Sequence, residues 1–121
     1  MAAARRPRLL LVDDDEVMLA LLTQMLAGRC CDVVGRATDG REAVELVGAL
    51  RADRVAMDVT MPVMDGLEAT RLIRARHPQV EVVGFSGSVM DGDFMAAGAS
   101  AVFAKPDITA MVEHLARPLA G

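Results

Sequence analysis

Carboxylate side chains follow two of the apolar runs in this 121-residue sequence, and their placement points to cation chemistry. Asp13 and Asp14 come directly after Leu9–Val12, and Asp58 comes directly after Val55–Met57. Carboxylates within a few ångströms of one another repel strongly unless a proton or a cation lies between them. Magnesium prefers one or two carboxylates together with water and phosphate oxygens. If these residues meet, we expect a magnesium site, which manganese could also fill.

A serine and a lysine follow two further apolar runs. Ser86 comes after residues 80–85, and Lys105 comes after residues 101–104. Lys105 is the only lysine among the 13 lysine and arginine residues, and lysine offers a compact point charge where arginine offers a planar fork. The two side chains could supply a positive charge and a hydroxyl donor to a phosphoryl oxygen.

Several of these residues also have an ordinary structural interpretation. Asp15 or a neighbour could cap the helix predicted to follow it. Asp58 could be a solvated loop acid, and Ser86 could serve only a turn. The residue types alone leave these alternatives open.

The hydrophobic pattern predicts strands and helices in alternation. Continuous apolar runs are typical of strands that are buried on both faces. An aspartate followed three residues later by a glutamate marks a helix start, and glycine or proline marks a stop. The predicted strands are 9–12, 32–36, 55–57, 80–85 and 101–104, and the predicted helices are 16–27, one from Asp39, 66–76, a short one within 90–99, and one after Asp107.

This alternation predicts an α/β fold in which helices cover both faces of a doubly wound parallel sheet, giving three α/β/α layers. Such sheets bind ligands beyond the carboxyl ends of their strands, near the point where strand order reverses. The first and third strands are neighbours in a doubly wound sheet. We therefore expect Asp13, Asp14 and Asp58 to converge on one pocket.

Composition predicts one domain over residues 1–121, with a short basic N-terminal tail at 1–7. A net charge of -4 and a pI near 5.1 argue against a direct nucleic-acid partner. The apolar run at the start meets Asp13 after four residues, so neither an export signal nor a membrane span is predicted. Cys30 and Cys31 are adjacent, which disfavours a mutual disulfide and favours a reducing cytoplasm.

Four stretches, in this order, make the sequence resemble the receiver domain of two-component response regulators, the CheY-like family. The resemblance covers nearly the whole chain. It implies a flavodoxin-like sheet of five parallel strands in the order 2-1-3-4-5 with five helices. The stretches are Leu9–Asp15, Asp58–Gly66, Phe85–Gly87, and Gly98–Ser100 leading to Lys105-Pro106.

By this resemblance Asp58 is the phosphoacceptor, which takes a phosphoryl group from a phosphohistidine on a sensor histidine kinase or a phosphotransfer protein. Asp13, Asp14 and Asp58, with the carbonyl of Thr60, would hold the magnesium ion.

The resemblance further implies that Ser86 and Lys105 bind phosphoryl oxygens. It implies a cytoplasmic signalling protein that assists its own phosphotransfer and dephosphorylation, and not an enzyme with a separate substrate. A downstream protein target or a second copy of the chain would be a further partner, without nucleic acid or membrane.

The sequence departs from the family where the signal is transmitted. Typical members have an aromatic residue three positions before the lysine, and here that position is Val102, with Phe103 beside it. A β-branched side chain has few rotamers and cannot swing as a ring does. We therefore expect the relay to run through residues 86–98.

Two other functions compete with this interpretation. The chain could be a receiver-shaped interaction module that is never phosphorylated. It could also be a small haloacid-dehalogenase-like phosphatase with Asp13 as nucleophile, because Asp13, Asp15 and Val17 fit an Asp-x-Asp-x-Val motif.

Overall fold

The computed structural model describes residues 5–87 and 91–119, which form five strands and five α-helices in alternation. A 3₁₀ turn, Lys105–Asp107, joins the last strand to the last helix. None of the helices in these two ranges is long and apolar enough to cross a membrane. The strands are β1 (Arg8–Val12), β2 (Asp32–Ala37), β3 (Arg54–Asp58), β4 (Glu81–Ser86) and β5 (Ala101–Ala104), and the helices are α1 (Glu16–Leu26), α2 (Gly40–Ala49), α3 (Gly66–Arg76), α4 (Asp91–Ala97) and α5 (Ile108–Leu115).

The five strands form one parallel sheet in the order β2-β1-β3-β4-β5. In the β1–β3 pair, Leu9–Val12 lies opposite Arg54–Met57, and on the other side of β3, Asp58 lies opposite Phe85. The predicted flavodoxin-like, doubly wound α/β fold is therefore confirmed. Because β1 and β3 are neighbours, the residues that follow them emerge at the same edge of the sheet.

Apolar side chains on the two faces of the sheet form two separate cores. Met57, Ile73 and Phe94 belong to the core beneath α2, α3 and α4, whereas Leu22 and Met111 belong to the core beneath α1 and α5. These five side chains are at most 2% exposed. Burying one such side chain contributes roughly 1.5–3 kcal/mol, so both faces must be covered and three layers result.

Each of the first three helices begins after an aspartate that caps it, which the sequence predicts at Asp39 and Asp65 and leaves open at Asp15. Asp107, predicted to start the last helix in the same way, makes no side-chain bond to α5. The chain enters α5 through the 3₁₀ turn, and such a turn can itself supply acceptors to the first helical N–H groups. The capping bonds run from the N–H of Val17 to Asp15, of Glu42 to Asp39 and of Glu68 to Asp65, at 2.9, 2.8 and 2.9 Å.

Helix α4 is seven residues long, as short as the sequence predicts, and it packs on β4 through one aromatic ring. Phe94 is fully buried, and a Cβ atom added at Gly84 would lie only 2.7 Å from its ring. Glycine at this position is what allows α4 to approach the sheet. Residues 88–90 lie outside the described residues, and with them residue 90, the first of the segment predicted to form this helix.

At the amino edge of the sheet, the buried Arg54 side chain joins β3 to β4 and α5. Its guanidinium donates to Glu81 Oε1 at 2.6 Å and to the Leu115 carbonyl at 2.9 Å. Beside it, Arg5 and Leu119 exchange two backbone hydrogen bonds of 3.0 Å. The described part of the predicted basic tail is thus held against the end of the chain, and residues 1–4 lie outside the described residues.

Val63, in the loop between β3 and α3, has a left-handed backbone with a φ of 68°. A β-branched residue rarely adopts this conformation, which costs on the order of 1–3 kcal/mol. The residue is 77% exposed, so packing of its own side chain offsets little of that cost. The loop therefore contains local strain.

Replacing Val63 with Asn should raise the free energy of unfolding by about 1 kcal/mol, because asparagine tolerates the left-handed region. Urea denaturation at constant pH would measure the change. Val17→Asn is the matched control, since Val17 is 78% exposed and has no positive φ. A Val63→Asn protein no more stable than the wild type would contradict the strain argument.

Candidate functional site

Three carboxylates meet at the carboxyl edge of the sheet. Asp58 is the last residue of β3, and Asp13 and Asp14 follow β1. One oxygen from each of the three side chains can be chosen so that all lie within 4.8 Å of one another. Asp13 and Asp58 are buried, whereas Asp14 is exposed to solvent. The predicted convergence of these residues is confirmed.

Lys105 reaches into this cluster from the end of β5. Its Nζ lies 3.4 Å from Asp13 Oδ2 and 3.4 Å from Asp58 Oδ1, so it bridges the two buried carboxylates. The same Nζ lies 5.8 Å from the centroid of the Phe85 ring, which supports it from the side of β4. One ammonium group therefore contacts the carboxylates at the ends of β1 and β3.

The electrostatics of the cluster raise the pKa of Asp58. Burial and the nearby Asp13 together raise it to about 6, against the opposing effect of Lys105. Burial lowers the pKa of Lys105, but attraction to Asp58 and Asp13 outweighs this, and the result is a raised pKa. Lys105 therefore stays charged, whereas Asp58 holds its proton more strongly than an ordinary carboxyl group does.

Ser86 and Thr60 line the same open cleft as the acids and Lys105. Ser86 is the last residue of β4 and is 1% exposed, whereas Thr60 lies in the loop after β3 and is exposed. The cleft has a volume of about 450 Å³. Every residue singled out from the sequence as a site residue therefore borders one cleft.

The structure also decides the role of Asp15, which the sequence leaves open. Its side-chain Oδ1 accepts from the N–H groups of Val17 and Met18 and so caps α1. Its own backbone N–H donates to Asp13 Oδ1 at 2.9 Å. Asp15 thus orients a neighbouring carboxylate through its backbone while its own carboxylate is engaged at the helix.

Gly66 is a residue whose role here the sequence does not reveal. A Cβ atom at this position would lie 1.9 Å from the Asp58 carbonyl oxygen. Its N–H donates to the Val59 carbonyl at 2.8 Å and closes the loop after β3. The Asp65-Gly66 pair signals a helix start, but only the tertiary structure shows that this helix begins against the backbone of Asp58.

The donor set fits a hard divalent cation. Three carboxylates face a single ammonium group, which leaves an excess of negative charge in a cleft that is open to water. Oxygen ligands with room for several water molecules are what magnesium prefers. Asp13, Asp14 and Asp58 are the side chains that would hold it.

Comparison with known proteins agrees with this geometry. The sequence model of the family described as the response regulator receiver domain matches residues 9–116. The chain is 36% identical over 102 residues to the chemotaxis protein CheY of Thermotoga maritima, covering 82% of this chain and 85% of that protein. It superposes on the response regulator domain of Thermotoga maritima CheB with a TM-score of 0.82 and 31% identity, covering 92% of this chain and 91% of that chain.

A longer relative matches over the same region. The chain is 43% identical over 105 residues to a protein-glutamate methylesterase/protein-glutamine glutaminase from a Nocardioides strain, covering 82% of this chain. The match spans only 29% of that relative's length, so the similarity concerns one part of a larger protein. The family match extends across almost all of the described residues, and the chain belongs to the response regulator receiver domain family of two-component signalling.

Proposed function

We propose that the chain accepts a phosphoryl group on Asp58 from a phosphohistidine of a sensor histidine kinase or a phosphotransfer protein. The observation that carries the proposal is the position of Lys105 Nζ, 3.4 Å from both Asp13 and Asp58. A fixed cation between an acceptor carboxylate and a metal-binding carboxylate is suited to a group that brings more negative charge.

In the proposed reaction an oxygen of the Asp58 carboxylate attacks the phosphorus atom of the donor. A phosphorus–oxygen bond forms, the phosphorus–nitrogen bond to the donor imidazole breaks, and the imidazole leaves with the bonding electron pair and takes up a proton. A magnesium ion held by Asp13, Asp14 and Asp58, with the carbonyl of Thr60, would offset charge on the phosphoryl oxygens.

Ser86 and Lys105 have complementary roles in this proposal. The Lys105 ammonium group exchanges part of its contact with Asp58 for a phosphoryl oxygen, and the Ser86 hydroxyl donates to another. The cleft is open, so water can reach the acyl phosphate and hydrolyse it. The chain thus assists its own phosphorylation and dephosphorylation and needs no separate substrate.

The partners and compartment follow from this role. A histidine kinase or phosphotransfer protein supplies the phosphoryl group, and a downstream protein or a second copy of the chain receives the signal. We place the reaction in the cytoplasm, where the free thiols of Cys30 and Cys31 would stay reduced.

One geometric fact disfavours the phosphatase alternative. That alternative gives Asp58 no essential role, whereas Asp58 lies 3.4 Å from the Lys105 Nζ and borders the same cleft as Asp13. The interaction-module alternative differs only in lacking phosphorylation, and the close approach of Asp58 to Lys105 favours a phosphoacceptor over it.

Signal relay in this chain would depend on α4. Val102 packs against the core beneath α2, α3 and α4, whereas Phe103 lies on the opposite face of the sheet, with its ring 5.4 Å from that of His114. Phe103 therefore cannot take the place of the missing aromatic at position 102. Phe94 lies on Gly84, two residues before Ser86, and we propose that it carries movement of β4 to α4.

Incubation with acetyl phosphate and magnesium should add one phosphoryl group to the wild type and none to Asp58→Asn, because the variant lacks the nucleophilic oxygen. Intact-protein mass spectrometry would measure the added mass. Asp93→Asn, which changes an exposed acid on α4, is the matched control and should be phosphorylated normally. Equal labelling in excess chelator, or a labelled Asp58→Asn protein, would refute the proposed role of Asp58.

The raised pKa of Asp58 predicts a stability difference that depends on pH. The folded, metal-free protein has an Asp58 pKa of about 6, against about 4 in an unfolded chain, so ionisation of Asp58 lowers stability as pH rises through this window. In chelator, Asp58→Asn should be more stable than the wild type at pH 7, by up to about 3 kcal/mol, and the difference should shrink toward pH 4.

Denaturant titrations of both proteins from pH 4 to pH 7 would measure this difference. Magnesium at pH 7 should stabilise the wild type more than Asp58→Asn, since the metal loses a ligand in the variant. Parallel stability profiles for the two proteins would show that Asp58 carries no unfavourable charge in the fold.

Hydrogen exchange would test the proposed relay. Beryllium fluoride with magnesium, used as a phosphoryl mimic, should change amide protection at Gly84 and along α4 while leaving Val102 and Phe103 little changed. Asp58→Asn with the same additives is the control. Changes confined to Val102 and Phe103 would show that the relay runs through β5.

A further inference from the structure

The connection between β2 and α2 is hydrogen-bonded both to Asp13 and to the loop after β3, although none of its side chains borders the cleft. We define it as the β2–α2 turn, residues 37–40. On one side the Ala37 carbonyl accepts a 3.1 Å hydrogen bond from the N–H of Asp13. On the other side the N–H of Gly40 donates at 3.0 Å to the carbonyl of Met64, in the loop that also contains Thr60.

Gly40 packs against that loop with no room for a side chain. A Cβ atom at this position would lie 2.4 Å from the Met64 carbonyl oxygen and 3.0 Å from the Asp65 carbonyl oxygen. Both neighbours are backbone atoms, which cannot rotate away as the end of a flexible side chain can. Any larger residue at position 40 must therefore displace either the loop or the start of α2.

Each of these displacements would move one side of the site. The loop is closed by the hydrogen bond from Gly66 to Val59, so a shift of Met64 is absorbed within residues 59–64, which include Thr60. A shift of α2 instead pulls the β2–α2 turn, whose Ala37 carbonyl holds the backbone of Asp13. The loop is already strained at Val63, so it has a tendency to relax once its contact with Gly40 is lost.

We propose that Gly40 is a positioning residue for the metal, setting the spacing between Asp13 and the β3–α3 loop through the β2–α2 turn. Gly40 itself touches neither the metal nor the phosphoryl group. This inference rests on the proposed function, because it concerns the metal that phosphorylation of Asp58 would use. Residues that orient metal ligands typically change metal affinity about 10–100-fold when replaced.

Calorimetric titration of the unphosphorylated protein with magnesium alone would test the proposal. Gly40→Ala should weaken magnesium binding about tenfold, and phosphorylation at saturating magnesium should recover toward the wild-type rate. Gly92→Ala is the matched substitution, because a Cβ atom there would meet nothing within 4 Å, and its magnesium affinity should equal that of the wild type.

A second control separates positioning from loss of stability. Val112→Ala removes buried volume beneath α1 and α5, on the opposite face of the sheet, and should destabilise the fold without weakening magnesium binding. If Gly40→Ala does not fold, Asp39→Ala removes the cap of α2 without adding an atom near Met64 and should weaken magnesium binding several-fold.

Two results would overturn the inference while leaving the proposed function intact. One is a Gly40→Ala protein that binds magnesium as tightly as the wild type, and the other is an equal loss of affinity in Val112→Ala. A wild type that neither binds magnesium nor accepts a phosphoryl group on Asp58 would instead overturn both proposals.

Discussion

Two buried carboxylates at the ends of adjacent parallel strands are the constraint on which the rest of the site depends. Asp13 and Asp58 cannot separate without breaking the pairing of β1 with β3, and Asp14 adds a third negative charge. Lys105 offsets only part of this charge, and burial together with the nearby Asp13 raises the pKa of Asp58. A group that brings positive charge to this edge therefore also stabilises the fold, which links ligand binding to stability.

The opposite edge of the sheet shows the contrasting arrangement, in which buried charge is compensated. Burial would raise the pKa of Glu81, but bonds to Ser100, His114 and Arg54 outweigh this and hold the pKa below its usual value. Arg54 in turn meets Glu81 and the carbonyl at the end of α5. Strand β3 thus carries a compensated charge at Arg54, its first residue, and an only partly compensated charge at Asp58, its last.

Backbone contacts set the position of the site as much as side chains do. Gly66 admits the Asp58 carbonyl, and Gly40 admits the loop that follows it, so two helices begin directly against the chain that forms the cleft. The strained Val63 lies between these two points of contact. Backbone held in place on both sides can keep an unfavourable conformation, because relaxing it would require a whole helix to move.

The sequence by itself determined the five strands, the aspartate caps at Asp39 and Asp65, and the acidic and lysine residues at the strand ends, because these follow from apolar runs and helix-start signals within a few residues of one another. Tertiary structure alone decided that Asp15 caps α1, whereas Asp13, Asp14 and Asp58 form the carboxylate cluster. It also decided that Asp107 leaves α5 uncapped, that Arg54 is buried, and that Gly40 and Gly66 have no room for a side chain. Most of these outcomes depend on atoms from residues far apart in the chain, as in the bond from Arg54 to the Leu115 carbonyl, and a local pattern contains no information about such distances.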